Sequence, residues 1–183
     1  QRPREVVGGA VGAVAVATGS GGGEGAGGAG GVRAAVVWAA AKDDDGLRAG
    51  QAAVGGPTLG AYTSSDVAGV EIGGTLKNVY AVGAGLCDGL DLGDNAKAAV
   101  LSRALQEMIR LGVALGGRAE TFLGLGGVGD LMATAHGSWS RNRTFGEQVA
   151  CDPLGTLSAL PHRREAAEGL RATDTLTRLD RQP

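Results

Sequence analysis

Three places in this chain carry residue types that could do chemistry together: a lysine, an aspartate and a Ser-Arg-Asn-Arg run. Lys77 closes Gly-Val-Glu-Ile-Gly-Gly-Thr-Leu-Lys-Asn (residues 69–78), an apolar, glycine-rich stretch with no carboxylate closer in sequence than Glu71. An amine in partly desolvated surroundings gives up its proton more readily, and can then take one from a hydroxyl while a hydride leaves the same carbon. The alternative is a lysine whose stem covers apolar surface while its amine reaches water. Asp130 lies in Gly-Val-Gly-Asp-Leu-Met-Ala-Thr (127–134), where it serves either as a helix N-cap or as a carboxylate orienting a base. Ser140, Arg141, Asn142 and Arg143 follow. A serine opening a helix, with arginine behind it, gathers free backbone N–H groups, the positive end of a helix dipole and a guanidinium into one phosphate seat. An exposed polar turn explains the same residues.

Helices must position these groups. Asp66 is a plausible N-cap for a helix from 67 to about 87, in which Val67, Val70, Glu71, Thr75, Leu76, Val79 and Val82 keep helical spacing. The Asp88 to Asp94 loop ends it. Asp94 is expected to cap a second helix whose apolar positions are Val100, Leu101, Leu105, Met108, Ile109 and Val113. Residues 120–126 and 128–135 predict two short helical pieces, 141–150 predicts a helix after Ser140, and His162 to Leu179 a last amphipathic one. Upstream, residues 10–17 and 33–41 are apolar runs of the kind found in strands buried on both faces. A weak helix at Gly46–Val54 and a turn plus short strand at Gly56–Tyr62 follow.

Composition limits the partners. The 183 residues suffice for one good core, or one domain with part of another. With 17 Lys plus Arg against 19 Asp plus Glu, the net charge of −2 forces no broad basic surface, which argues against nucleic acid. Cys87 and Cys151 are far apart, which predicts neither a metal knuckle nor a disulfide framework and fits a reducing, cytoplasmic setting. His136 and His162 lack zinc-helix spacing. The longest apolar run, Val6 to Ala17, is too short and too interrupted for a membrane span, and Gln1 opens no secretory signal pattern. Glycine is the oddity: 35 in the chain, with eight between Gly21 and Gly31, a segment expected to be a flexible connector. Asp43, Asp44 and Asp45 fit a solvated turn.

From Val67 to Gly146 the chain resembles the C-terminal, helical domain of the soluble NAD(P)-dependent glycerol-3-phosphate dehydrogenases. Four blocks carry the resemblance in order and spacing: residues 65–79 (ending Gly-Gly-Thr-Leu-Lys-Asn-Val), 84–99 (Ala-Gly-Leu-Cys-Asp-Gly-Leu onward), 120–131 (Glu-Thr-Phe-Leu-Gly-Leu-Gly-Gly-Val-Gly-Asp-Leu) and 140–146 (Ser-Arg-Asn-Arg-Thr-Phe-Gly). The resemblance implies a mainly α fold, with a helical substrate-binding domain over 63–183 behind a remnant of an α/β Rossmann-type domain over 1–62. It makes Lys77 the proton acceptor, and Asp130 the carboxylate that orients Lys77 and binds a glycerol hydroxyl. Ser140, Arg141 and Asn142 become substrate ligands, Arg141 lying near both substrate phosphate and cofactor, with Asn78 and Thr134 in secondary places. Glu168, in a weaker block (166–171), approaches the cofactor by resemblance and fits a solvated helix face equally well. NAD or NADP is the implied cofactor, and a homodimer the implied assembly.

The front of the chain departs from the family. Gly23-x-Gly25-x-x-Gly28 imitates a dinucleotide fingerprint, but the residues after it hold no apolar stripe with which a helix could pack on a sheet. Residues 1–62 resemble only the last strands of the family's first domain, and its last helices are not recognisable after Asp180. Strands deprived of their partners are expected to expose apolar surface and associate. A non-catalytic helical module that keeps only the family's packing and dimer surface is the competing reading.

Overall fold

The structure is a computed structural model that describes residues 11–18, 35–41, 44–54 and 59–159, together with Gly169 and Thr173. The glycine tract at 21–31 and, apart from Gly169 and Thr173, the expected helix from His162 to Leu179 lie outside these residues. The chain divides into two compact units, Gln1–Val67 and Ala68–Pro183.

In the first unit, β1 (Val11–Thr18), β2 (Ala35–Ala41) and β3 (Leu59–Ser64) form a sheet of order β1-β2-β3. Strands β2 and β3 are parallel, with Ala35 opposite Leu59 and Ala40 opposite Ser64, and helix α1 (Asp44–Val54) makes the crossover that parallel strands need. Strand β1 runs antiparallel to β2, with an irregularity between Gly12 and Val14. The remnant of a Rossmann-type domain expected over 1–62 therefore departs at β1 from the parallel pairing of such a sheet, because an apolar run does not show which way a strand's neighbour runs.

The second unit is helical: α2 (Val67–Gly89), α3 (Gly93–Ala114), α4 (Ala119–Leu123), a π-helical turn (Leu125–Gly129), α5 (Asp130–His136), α6 (Arg141–Cys151) and α7 (Pro153–Ser158). Helix α2 buries Gly69, Val70, Gly73, Leu76, Ala81, Ala84, Gly85 and Cys87, a stripe at three- and four-residue spacing. Small residues dominate that stripe, so neighbouring backbones come close to it. The core joins Leu76 and Ala84 to Leu101 and Met108 of α3, Phe122 of α4, and Leu131 and Ala135 of α5. Full burial of each large side chain contributes about 1.5–3 kcal/mol.

Two expectations for α3 change. Its buried stripe is Lys97, Leu101, Ala104, Met108 and Gly112, while Val100 and Val113 are exposed. Asp94 lies inside the first turn, and the capping position, Leu92, makes no side-chain cap bond. Asp94 can still favour the helix through its charge near the N-terminal dipole.

Candidate active site

Lys77 and Asp130 meet. The Lys77 ammonium donates to Asp130 Oδ2 at 2.5 Å, bridging 53 residues of sequence. Asp130 is buried with only 3 % of its side chain exposed, while Lys77 keeps 16 %. The second carboxylate oxygen, Asp130 Oδ1, is buried and has no hydrogen-bond partner. An anionic oxygen without a partner is costly in a protein interior unless a ligand supplies the missing donor.

The π-helical turn explains how the aspartate reaches this place. It runs directly into α5, whose first residue is Asp130, and it widens the backbone just before the carboxylate, a device frequent at functional sites. Of the two readings of Asp130, the N-cap gives way to this geometry: Gly129 takes that position, and Asp130 sits within the helix with its side chain turned to Lys77. One turn before Lys77, Gly73 packs on the turn itself, and a Cβ there would lie 3.0 Å from the Gly126 carbonyl oxygen. Close approach at Gly73 thus sets the spacing at Lys77. Thr134, one turn into α5, donates its hydroxyl to the Asp130 carbonyl at 2.7 Å, so it braces the backbone rather than the carboxylate.

The next residue of α2 connects to α6. Asn142 donates from its side-chain amide to Asn78 Oδ1 at 3.0 Å, and its own Oδ1 accepts the Gly169 N–H at 3.2 Å. Asn78 in turn donates to the Gly74 carbonyl at 3.2 Å. Ser140 is the α6 N-cap, as its position predicts: its hydroxyl accepts the Arg143 N–H at 3.3 Å and the residue is buried. Arg141, the first residue of α6, is exposed. Lys77–Asp130 and Asn78–Asn142 are therefore adjacent pairs on one turn of α2, while the Ser140 oxygen accepts the cap bond of α6. Glu168 lies outside the described residues.

A second charged cluster went unrecognised in the sequence. Asp88 accepts two hydrogen bonds from Lys97 at 2.9 and 2.7 Å and one from Arg143 Nε at 2.8 Å, and Arg143 also pairs with Glu147. Burial works to raise the Asp88 pKa, but the bonds and charges of Lys97 and Arg143 outweigh it and hold the carboxyl below its ordinary value. The available signal was Lys97 itself, which stands in step with Leu101, Ala104 and Met108 on a buried stripe. Among the described residues no group of three or more His, Cys, Asp or Glu could hold a metal ion, and no helix is long and apolar enough to cross a membrane.

Residues 66–182 match the family model described as the NAD-dependent glycerol-3-phosphate dehydrogenase C-terminus. The chain belongs to that family. It is 53% identical over 123 residues to a glycerol-3-phosphate dehydrogenase [NAD(P)+] of Paracidovorax citrulli, covering 67% of this chain and 36% of that protein. Against the Thermus thermophilus protein of the same description, identity is 57% over 137 residues, covering 75% and 42%. A crystal structure of the Coxiella burnetii glycerol-3-phosphate dehydrogenase superposes with a TM-score of 0.71 at 37% identity, over 79% of this chain and 44% of that one. The chain thus spans less than half the length of these relatives.

Proposed function

We propose that this chain carries the substrate-handling part of an NAD(P)-dependent glycerol-3-phosphate dehydrogenase, which interconverts sn-glycerol 3-phosphate and dihydroxyacetone phosphate in glycerophospholipid synthesis. The observation that supports this reading most strongly is the Lys77–Asp130 contact with a buried, unbonded carboxylate oxygen beside it. In the direction of ketone reduction, the Lys77 ammonium spends one N–H on Asp130 and keeps the others for the substrate carbonyl, to which it passes a proton. In alcohol oxidation the neutral amine takes the hydroxyl proton back. Asp130 Oδ1 is an acceptor ready for a second substrate hydroxyl.

Ser140, Arg141 and Asn142 form the phosphate end of this site, with α6 contributing its N-terminal dipole and Arg141 its guanidinium. NAD or NADP, when bound, takes or supplies the hydride. Of the described residues, Arg141 has the charge and exposure to meet a cofactor phosphate, and Glu168 is its proposed companion. The α1 end does not fit a pyrophosphate, because Asp45 places a carboxylate in its first turn. We further propose a cytoplasmic homodimer with a phosphorylated small molecule as ligand.

Titrating NADH and NADPH into the purified chain while following nicotinamide fluorescence, with glycerol 3-phosphate titrated in parallel by calorimetry, tests the reading. Saturable binding of substrate and cofactor is expected. No binding of either at millimolar concentration would overturn it in favour of a non-catalytic helical module.

A further inference from the structure

Helices α2 and α6 share a seam that starts at the site and ends at the charged cluster. Asn142 meets Asn78 at one end. Beyond it, a Cβ on Gly85 would run into the Arg143 carbonyl, and one on Gly146 into the Val82 carbonyl, so the two backbones touch there with no side chain between them. At the far end Asp88 holds the Arg143 guanidinium, and Lys97, buried on α3, holds Asp88 from behind. Glu147 takes the remaining reach of Arg143 one turn further along α6.

Backbones in bare contact fix the distance between two helices but leave one free to slide or turn on the other. A bonded guanidinium removes that freedom, because its planar donors demand one geometry. Arg143 directly follows Asn142 and donates its N–H to the Ser140 cap, so whatever holds Arg143 also holds the first turn of α6. We propose that Asp88 is a positioning residue: by clamping Arg143, with Lys97 as its support, it sets the register of α6 on α2 and so keeps Asn142 on Asn78. The role of the site rests on the function proposed above, whereas the placement of Asn142 does not.

NMR of the full chain separates the two. The Asn142 side-chain amide reports register, the Met108 methyl reports the core, and glycerol 3-phosphate is the added ligand. In Asp88→Asn the Asn142 amide signals are expected to move and to exchange with solvent at least about tenfold faster as the Asn78 bond loosens. The Met108 methyl should stay at its native position, and glycerol 3-phosphate affinity should fall by about tenfold or more. Asp88→Asn combined with Lys97→Met removes the stranded cation, guards against failure to fold, and should move Asn142 in the same way. An unmoved Asn142 amide in these variants overturns the proposal. So does a shift of Asn142 and Met108 together, or loss of folding in both variants, since Asp88 would then serve the whole fold. If the unsubstituted chain binds no glycerol 3-phosphate but Asn142 moves as described, the positioning role stands and the functional reading fails.

Discussion

Helix α2 carries two ionic clusters, and they are finished to different degrees. At Asp88 both carboxylate oxygens are engaged, by Lys97 and Arg143, and the cations come from two other helices. At Asp130 one oxygen holds Lys77 and the other is buried with nothing to bond. A carboxylate with both oxygens paired to cations is already compensated and acts on geometry. An unsaturated one, beside an ammonium with N–H groups to spare, carries a standing cost that a bound hydroxyl would relieve. On the function and positioning role proposed above, the same pair of residue types serves assembly at one end of the helix and chemistry at the other.

Substitutions should separate the two ends by which property they damage. The largest effect is expected from Lys77→Ala in a dehydrogenase that contains this chain. Turnover should fall by about 10²–10⁴-fold, the range general acid–base catalysis supplies, with melting temperature changed far less. Arg141→Ala should act mainly on KM, because a phosphate contact is made in ground and transition states alike. A stability assay should give the opposite ranking. Asp88→Ala strands the buried Lys97 and should cost roughly 3–5 kcal/mol in denaturant melts, whereas Asp130→Ala leaves Lys77 able to turn outward and should cost less. Equal losses at the two aspartates would erase the distinction.

Packing beside each cluster gives a smaller and sharper comparison. Gly73→Ala crowds the Gly126 carbonyl at 3.0 Å, a distance at which a small shift of the turn accommodates the methyl. It should cost about 1–3 kcal/mol while loosening the Lys77–Asp130 contact, visible as reduced turnover. Gly85→Ala forces α2 and α6 apart at backbone level and should cost more stability.

The smallest effect is with pH. The Asp88 carboxyl is held below its ordinary value, so its contribution is fully present above the unfolded carboxylate range and is lost as pH falls through the lowered folded value. The groups facing it are Lys97 from α3 and Arg143 from α6, with Glu147 bound to the far side of that guanidinium. Thermal melts of the unsubstituted chain should stay level from pH 7 to 5 and then decline below about pH 4, the ordinary aspartate value being 3.8. Asp88→Asn should decline less over that lower range.

Much of the helical unit was legible because its signals are local. The α2 boundaries followed from Val67, Val70 and their periodic successors, and the α6 start followed from Ser140, a cap whose bond to the Arg143 N–H spans only three residues. Lys77 stood out because its neighbours are apolar, yet its partner came from the family pattern rather than from spacing. What stayed hidden was set by tertiary contact. Val100 and Val113 match a helical stripe, but close packing at Ala104 and Gly112 rotated burial away from them. The direction of β1 was invisible because an apolar strand has the same pattern in either orientation. A glycine-rich π-helical turn carries almost no side-chain signal, although it aims Asp130.

The most direct test of the central claim is to follow the Lys77 ammonium resonance by NMR while adding sn-glycerol 3-phosphate. The account predicts a saturable shift of that signal, absent when the same titration is run on Asp130→Asn with its Lys77 signal already displaced. Glycerol 3-phosphate that binds while leaving the Lys77 resonance unmoved would contradict it.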